Sequence, residues 1–119
     1  KDDGSWWEQG ILSASEETVR LSLRDFNFVE FYKGWIPERF AEVKERFFCL
    51  VHVDVDLYQP TLDSIAFFYN RMSPGGLMIF DDYGFKTCPG AKKAVDAFFS
   101  QKNEPVILLP TGQAFAVKR

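Results

Sequence analysis

Apolar positions along this chain fall into two kinds of run. Phe47–Val55 (FFCLVHVDV) and Leu77–Phe80 (LMIF) are nearly continuous, as in parallel strands buried on both faces. Elsewhere the apolar residues recur at helical spacing. Leu62, Ile65, Ala66 and Tyr69 share one face of a helix predicted over Thr61–Tyr69, and GAKKAVDAFFSQ predicts another amphipathic helix over Gly90–Gln101. Residues 1–12 are polar and Gly-broken and read as a loop. Ser13 with Glu16 has the form of a capping box, and a helix from about Ser15 to Asp25 follows, with Val19, Leu21, Leu23 and Phe26 able to line its face. Phe28–Tyr32 (FVEFY) has strand character and ends at Gly34; Pro37 then opens a short helix to about Glu45, with Phe40 and Val43 inward. Ser73-Pro-Gly-Gly reads as a turn, and Pro105–Leu109 and Gln113–Val117 as two short closing strands around Thr111-Gly112.

The resulting order, α-β-α-β-α-β-α-β-β, predicts an α/β layer of mostly parallel strands with right-handed crossovers and an antiparallel C-terminal strand. With 119 residues there is room for one domain, residues 1–119.

Composition narrows the class further. A net charge of −3 and a pI near 5.1 argue against a nucleic-acid partner, which needs a basic face. Lys92–Lys93 fits a solvated helix face. No apolar run approaches the ~20 residues of a membrane span and no signal peptide opens the chain, so the expected compartment is the cytoplasm. Cys49 lies in a strand expected to be buried and Cys88 in a loop; with no CxxC and only His52 as histidine, neither a zinc site nor a disulfide framework is indicated.

The candidate chemistry lies at the ends of the two apolar runs. VHVDVDLY delivers Asp54 and Asp56, and LMIFDDYG delivers Asp81 and Asp82. Parallel strands point their C-terminal ends at one edge of the sheet, where ligands bind, so neighbouring strands would gather all four carboxylates there. Such a cluster opposes its own ionisation. A hard divalent cation with oxygen ligands, Mg²⁺ or Ca²⁺, relieves it. Against this stands the plain reading that the acids cap helices or solvate loops: Asp56 precedes a helix and Asp81–Asp82 precede a loop. Three activities use such acids. A haloacid-dehalogenase-like phosphatase pairs DxDx[TV] with DD, but Tyr58 stands where Thr or Val belongs. A glycosyltransferase DxD binds metal and a nucleotide diphosphate, for which no cradle is apparent. In a metal-dependent methyltransferase, a cation gathers an acceptor's oxygens beside a methyl donor.

Read as one string, HVDVDLYQPTLDSIAFFYNRMSPGGLMIFDDYG with the later GAKKAVDAFF closely resembles the TylF-type macrocin O-methyltransferase family. GILSASEETVRLSL and VEFYKGWIPERF resemble it too, so the likeness covers nearly the whole chain. The resemblance implies a Rossmann-like methyltransferase sheet, S-adenosylmethionine and Mg²⁺ as cofactors, and a sugar or phenolic hydroxyl of a small molecule as acceptor. It matches Asp54, Asp81 and Asp82 to the family's metal ligands and Asp56 to its proposed general base. Gly34, Trp35 and Ile36 match the adenine pocket of the donor site, although Trp35 also suits an ordinary core position. Tyr58 and Tyr83 could border the acceptor or simply pack. His52 reads as a satisfied buried histidine, and Gly75–Gly76 as turn glycines.

The family's first strand, its Gly-rich donor cradle and the ribose-binding acid after the second strand have no counterpart here, and no Gly-x-Gly occurs. The chain therefore reads as a C-terminal portion of the fold, lacking the first two strands, either a fragment or a natural short form. Donor binding by these residues alone is correspondingly an open expectation, with a non-catalytic divalent-metal-binding or assembly domain as the alternative. In the full fold the missing pair lies between VHVDV and FVEFY. Two outcomes follow for the exposed edge: FVEFY closes directly onto VHVDV, or two copies associate there as a homo-oligomer.

Overall fold

The computed structural model describes residues 2–8, 10 and 13–119. Its elements are α1 (Glu16–Ser22), a 3-10 segment (Glu38–Val43), β1 (Phe48–Val53), α2 (Tyr58–Tyr69), β2 (Met72–Phe80), α3 (Pro89–Phe99), β3 (Ile107–Leu108) and β4 (Ala114–Val117). Residues 1, 9, 11 and 12 of the segment read as a loop lie outside the described residues, and the rest of that segment carries neither helix nor strand.

The strands form one sheet in the order β1-β2-β4-β3. β1 and β2 are parallel, and β4 runs antiparallel to both of its neighbours, so β1, β2 and β3 share a direction that β4 reverses. This is the mixed α/β sheet expected, with its antiparallel strand last. Helices α2 and α3 pack together on one face. There Ile65, Tyr69, Val95 and Phe99 bury against Val51, Val53, Met78, Phe80, Ala114 and Ala116. Phe80 meets Phe99 edge-on at 5.6 Å between ring centroids, and burying each such side chain contributes about 1.5–3 kcal/mol. Two hydroxyls buried in α2 are satisfied within the helix, Thr61 donating to the Leu57 carbonyl at 2.7 Å and Ser64 to that of Pro60 at 2.7 Å.

Several expectations are corrected. β1 is not buried on both faces. Val51 and Val53 point into the core while Cys49, Leu50 and His52 are exposed, because helices cover one side only and β1 is an edge strand. FVEFY is not a strand, nor does it close onto β1. A strand needs a ladder partner for its N–H and C=O groups. Lacking one, this segment is held by side chains, with Glu30 accepting from Arg46 at 2.7 Å. Between it and β1 lies a groove of about 530 Å³, walled by Phe28, Tyr32, Phe40, Phe48 and Phe68 among others.

Ser73-Pro-Gly-Gly belongs to β2 rather than to a separate turn. It forms a bulge in which the pairing slips from Phe48↔Met72 to Leu50↔Leu77. Gly76 permits it, since a Cβ there would lie 2.8 Å from the Ser73 carbonyl oxygen. α2 begins at Tyr58, before Thr61, because Pro60 tolerates a first helical turn where its missing N–H costs nothing. The helix predicted over 15–25 is shorter and capped by Ser15, not Ser13: the Ser15 hydroxyl accepts the Thr18 N–H at 3.1 Å. Val19, Leu21 and Phe26 are exposed rather than packed, and the helix predicted after Pro37 is a 3-10 segment.

Candidate functional site

The β1–β2 pairing places both acidic pairs at one edge. Asp54 directly follows β1, Asp81 directly follows β2, and the Asp81 N–H donates to the Val53 carbonyl at 3.0 Å, locking the two strand ends together. One carboxylate oxygen from each of Asp54, Asp81 and Asp82 lies within 4.8 Å of the other two. Asp82 also belongs to a second group, with Asp56 and Cys88, whose ligand atoms fall within the same 4.8 Å span. The four acids singled out from the sequence are thus brought together, with buried Asp82 at their centre.

The backbone serves this arrangement. Asp56 has φ +59°, the left-handed conformation that Asp and Asn tolerate better than other side chains, and its N–H donates to Asp82 Oδ2 at 2.9 Å. The turn swings Asp56 beside Asp82 just ahead of α2. Gly84, which closes the DDYG segment, is held by a close backbone approach. Its N–H donates to the Gly112 carbonyl at 2.6 Å, and a Cβ at residue 84 would lie 2.7 Å from that oxygen.

Burial first, and mutual repulsion after it, favour the protonated forms of Asp54 and Asp56. Burial, followed by the charges of Asp81 and Asp82, raises Asp54 above the usual carboxylate range. Asp56 is pushed up to about 6, first by burial, then by the Asp82 charge, a hydrogen bond with Asp82, and Asp54. The Cys88 thiol, 3.7 Å from Asp82 Oδ1 and 3.8 Å from Asp56 Oδ1, is raised to about 11 chiefly by burial, so it stays protonated and can donate to both. The donor set is oxygen-rich and anionic and suits a hard divalent cation held by Asp54, Asp81 and Asp82.

Three neighbours escaped the sequence reading. His52 is not a buried histidine; its Nε2 lies 3.0 Å from Asp81 Oδ1 on the exposed face of β1. Gln113 Nε2 donates to the same oxygen at 2.6 Å. Cys88 reaches the acids because α3 starts beside them. Alternation already places His52 opposite Val51 and Val53, and only the expectation of a strand buried on both faces makes it a buried residue; nothing local marks Gln113 or Cys88. Tyr83 is tied to α3, donating to Asp96 at 2.7 Å and accepting from Lys92 at 3.2 Å, which is a packing role. The Tyr58 N–H, at the head of α2, donates to Asp3. Gly34 and Ile36 line the groove beside β1, a groove that none of the four aspartates lines, and Trp35 is 82% exposed.

A family profile described as Macrocin-O-methyltransferase (TylF) matches residues 1–110. The chain belongs to this family. Among curated relatives, it is 34% identical over 92 residues to demethyldecarbamoylnovobiocin O-methyltransferase of Streptomyces niveus, covering 74% of this chain and 34% of that protein. It is 30% identical over 86 residues to 8-demethyl-8-(2,3-dimethoxy-α-L-rhamnosyl)-tetracenomycin-C 4′-O-methyltransferase of Streptomyces olivaceus, covering 69% and 33%. The chain spans about a third of the length of these relatives. In fold it resembles the O-methyltransferase NovP, with a TM-score of 0.71 at 24% identity over 99% of this chain and 55% of NovP. CalS11, a TDP-rhamnose 3′-O-methyltransferase of calicheamicin biosynthesis, gives 0.58 at 25% identity over 69% and 36%.

Proposed function

We propose that this chain carries the metal-binding and proton-accepting part of an S-adenosylmethionine- and Mg²⁺-dependent O-methyltransferase, with a sugar hydroxyl or a phenolic hydroxyl of a small molecule as acceptor. The observation that carries the reading is the meeting of Asp54, Asp56, Asp81 and Asp82 at one sheet edge in a chain of this family. Relatives whose names specify rhamnosyl acceptors support the sugar class.

When bound, Mg²⁺ on Asp54, Asp81 and Asp82 supplies Lewis acidity that makes the acceptor hydroxyl easier to deprotonate, and S-adenosylmethionine supplies the methyl group. The chain's own residues do the rest. Asp56, held beside Asp82 but outside the metal set, takes the hydroxyl proton. Its left-handed turn and its N–H bond to Asp82 fix its approach. Cys88, remaining a thiol, steadies the carboxylates of Asp56 and Asp82. Gly34, Trp35 and Ile36 are proposed to contact the donor's adenine.

The test is transfer of a labelled methyl group to a deoxysugar glycoside, with Mg²⁺ and with chelator. Transfer that needs Mg²⁺ and disappears in Asp56→Asn supports the proposal; transfer indifferent to chelator contradicts it. A second reading is a divalent-metal-binding or assembly domain without methyl transfer. Calorimetry with S-adenosylmethionine separates the two: saturable heat supports the enzyme, and metal binding without donor binding supports the second reading. The edge of β1, unpaired among the described residues, further suggests pairing of two copies, and a strictly monomeric sedimentation profile would rule that out.

A further inference from the structure

We infer that His52 and Gln113 are positioning residues that hold Asp81 in the orientation a cation requires, an inference that rests on the reading of Asp54, Asp81 and Asp82 as a divalent-metal site. Asp81 follows β2, which lies between β1 and β4. One donor comes from each neighbour: His52 from β1 and Gln113 from the residue preceding β4. Both nitrogens converge on Oδ1, at 3.0 and 2.6 Å. Among the described residues, every side-chain hydrogen bond of Asp81 falls on that oxygen. An ionised carboxylate only accepts, so the imidazole presents Nε2–H and the amide its NH₂ group. The Thr111 hydroxyl, 3.3 Å from Gln113 Oε1, donates to it and so sets which end of the amide faces Asp81.

Two donors on Oδ1 fix the rotation of the carboxylate and leave Oδ2 available as a ligand. Donors at this distance from a ligand carboxylate reduce the orientational freedom lost on binding, and loss of such outer-shell partners typically weakens metal affinity by about 10–100-fold.

Calorimetric titration with Mn²⁺ tests this on the intact chain. Gln113→Met keeps the side chain's length and removes the donor; His52→Leu removes the imidazole, whereas His52→Gln restores an N–H of similar reach. The expected result is at least tenfold weaker binding in Gln113→Met and His52→Leu, with substantial recovery in His52→Gln and melting temperatures close to wild type. A measurement on the unsubstituted chain guards against misfolded variants: the Gln113 side-chain amide resonances should shift on Mg²⁺ addition, saturating together with the Asp54 and Asp82 backbone signals. Unchanged affinity in both donor-deleting variants, or a silent Gln113 amide, overturns the inference while leaving the metal site standing. No binding by wild type overturns the metal reading, and the inference with it.

Discussion

The Asp56 backbone N–H donates to Asp82 Oδ2 at 2.9 Å, joining the acid pair after β1 to the pair after β2. Asp82 thus has a structural bond as well as a charge. Asp82→Asn and Asp82→Ala relieve the same charge repulsion, but only Asp82→Asn retains an oxygen that can accept the N–H, so it is the reference for the bond. Relative to it, Asp82→Ala strands that donor and should cost about 1–3 kcal/mol, read by urea denaturation. Equal stabilities would show that the bond contributes nothing.

The left-handed conformation of Asp56 gives a separate prediction. Asp56→Gly and Asp56→Ala remove the same charge and the same proposed proton acceptor, so the relief of repulsion cancels between them. Glycine accepts φ +59° freely and alanine does not, so the glycine variant should be more stable by about 1 kcal/mol. Both should lose methyl transfer. An alanine variant as stable as the glycine one would mean the turn has relaxed.

Gly84→Ala should be costly although residue 84 is exposed. Its Cβ would collide with the Gly112 carbonyl oxygen, a backbone atom that moves only with the β3–β4 turn. Overpacking of this kind costs about 1–3 kcal/mol. The same turn carries Gln113, so Mn²⁺ affinity should fall together with the melting temperature. An unaltered melting temperature would contradict this close approach.

Glu104 sets the acid limb of stability. It is buried, accepts from Tyr69 at 2.8 Å and from the Arg119 N–H at 3.2 Å, and lies 3.5 Å from the Lys118 ammonium. The Tyr69 hydrogen bond, with these neighbours, lowers it to about 2. A depressed folded-state value means that the unfolded chain takes up the proton first. The contribution is therefore complete above the ordinary value near 4.5 and is lost as pH falls from there toward 2. Melting temperatures measured across that window should fall with pH, and Glu104→Gln should flatten the slope while lowering stability at pH 7. A slope unchanged by the substitution would remove Glu104 from the account.

Thiol chemistry should separate the two cysteines. Cys49 is exposed on β1, whereas Cys88 is buried with its thiol raised to about 11. A disulfide reagent at neutral pH should modify one thiol quickly in the native protein and the second only after denaturation. Two fast thiols would contradict the packing of α3 against the acidic edge.

The sequence made much of this legible where the signal is local. Periodicity placed β1, β2, α2 and α3, and the paired acids at two strand ends pointed to one edge. Burial was legible only in part, because a strand's exposure depends on what lies beside it. FFCLVHVDV is apolar enough for two-sided burial, yet β1 is an edge strand with Leu50 and His52 facing out. FVEFY has the composition of a strand but no ladder partner among the described residues. SPGG has turn chemistry that a bulge inside β2 uses equally well. His52 alternates with Val51 and Val53 and so faces away from them, but a strand expected to be covered on both faces hides the exposure of that side. Gln113 is 32 residues from Asp81 and reaches it only through the reversal of β4, which no motif records.

The proposed divalent-cation site is the edge formed by Asp54, Asp81 and Asp82. Titration with Mn²⁺, following the free ion by electron paramagnetic resonance, tests it most directly. One equivalent should bind per chain, be displaced by Mg²⁺ and be lost in Asp82→Asn while the fold persists. A free-ion signal that is the same for wild type, Asp82→Asn and buffer alone would contradict it.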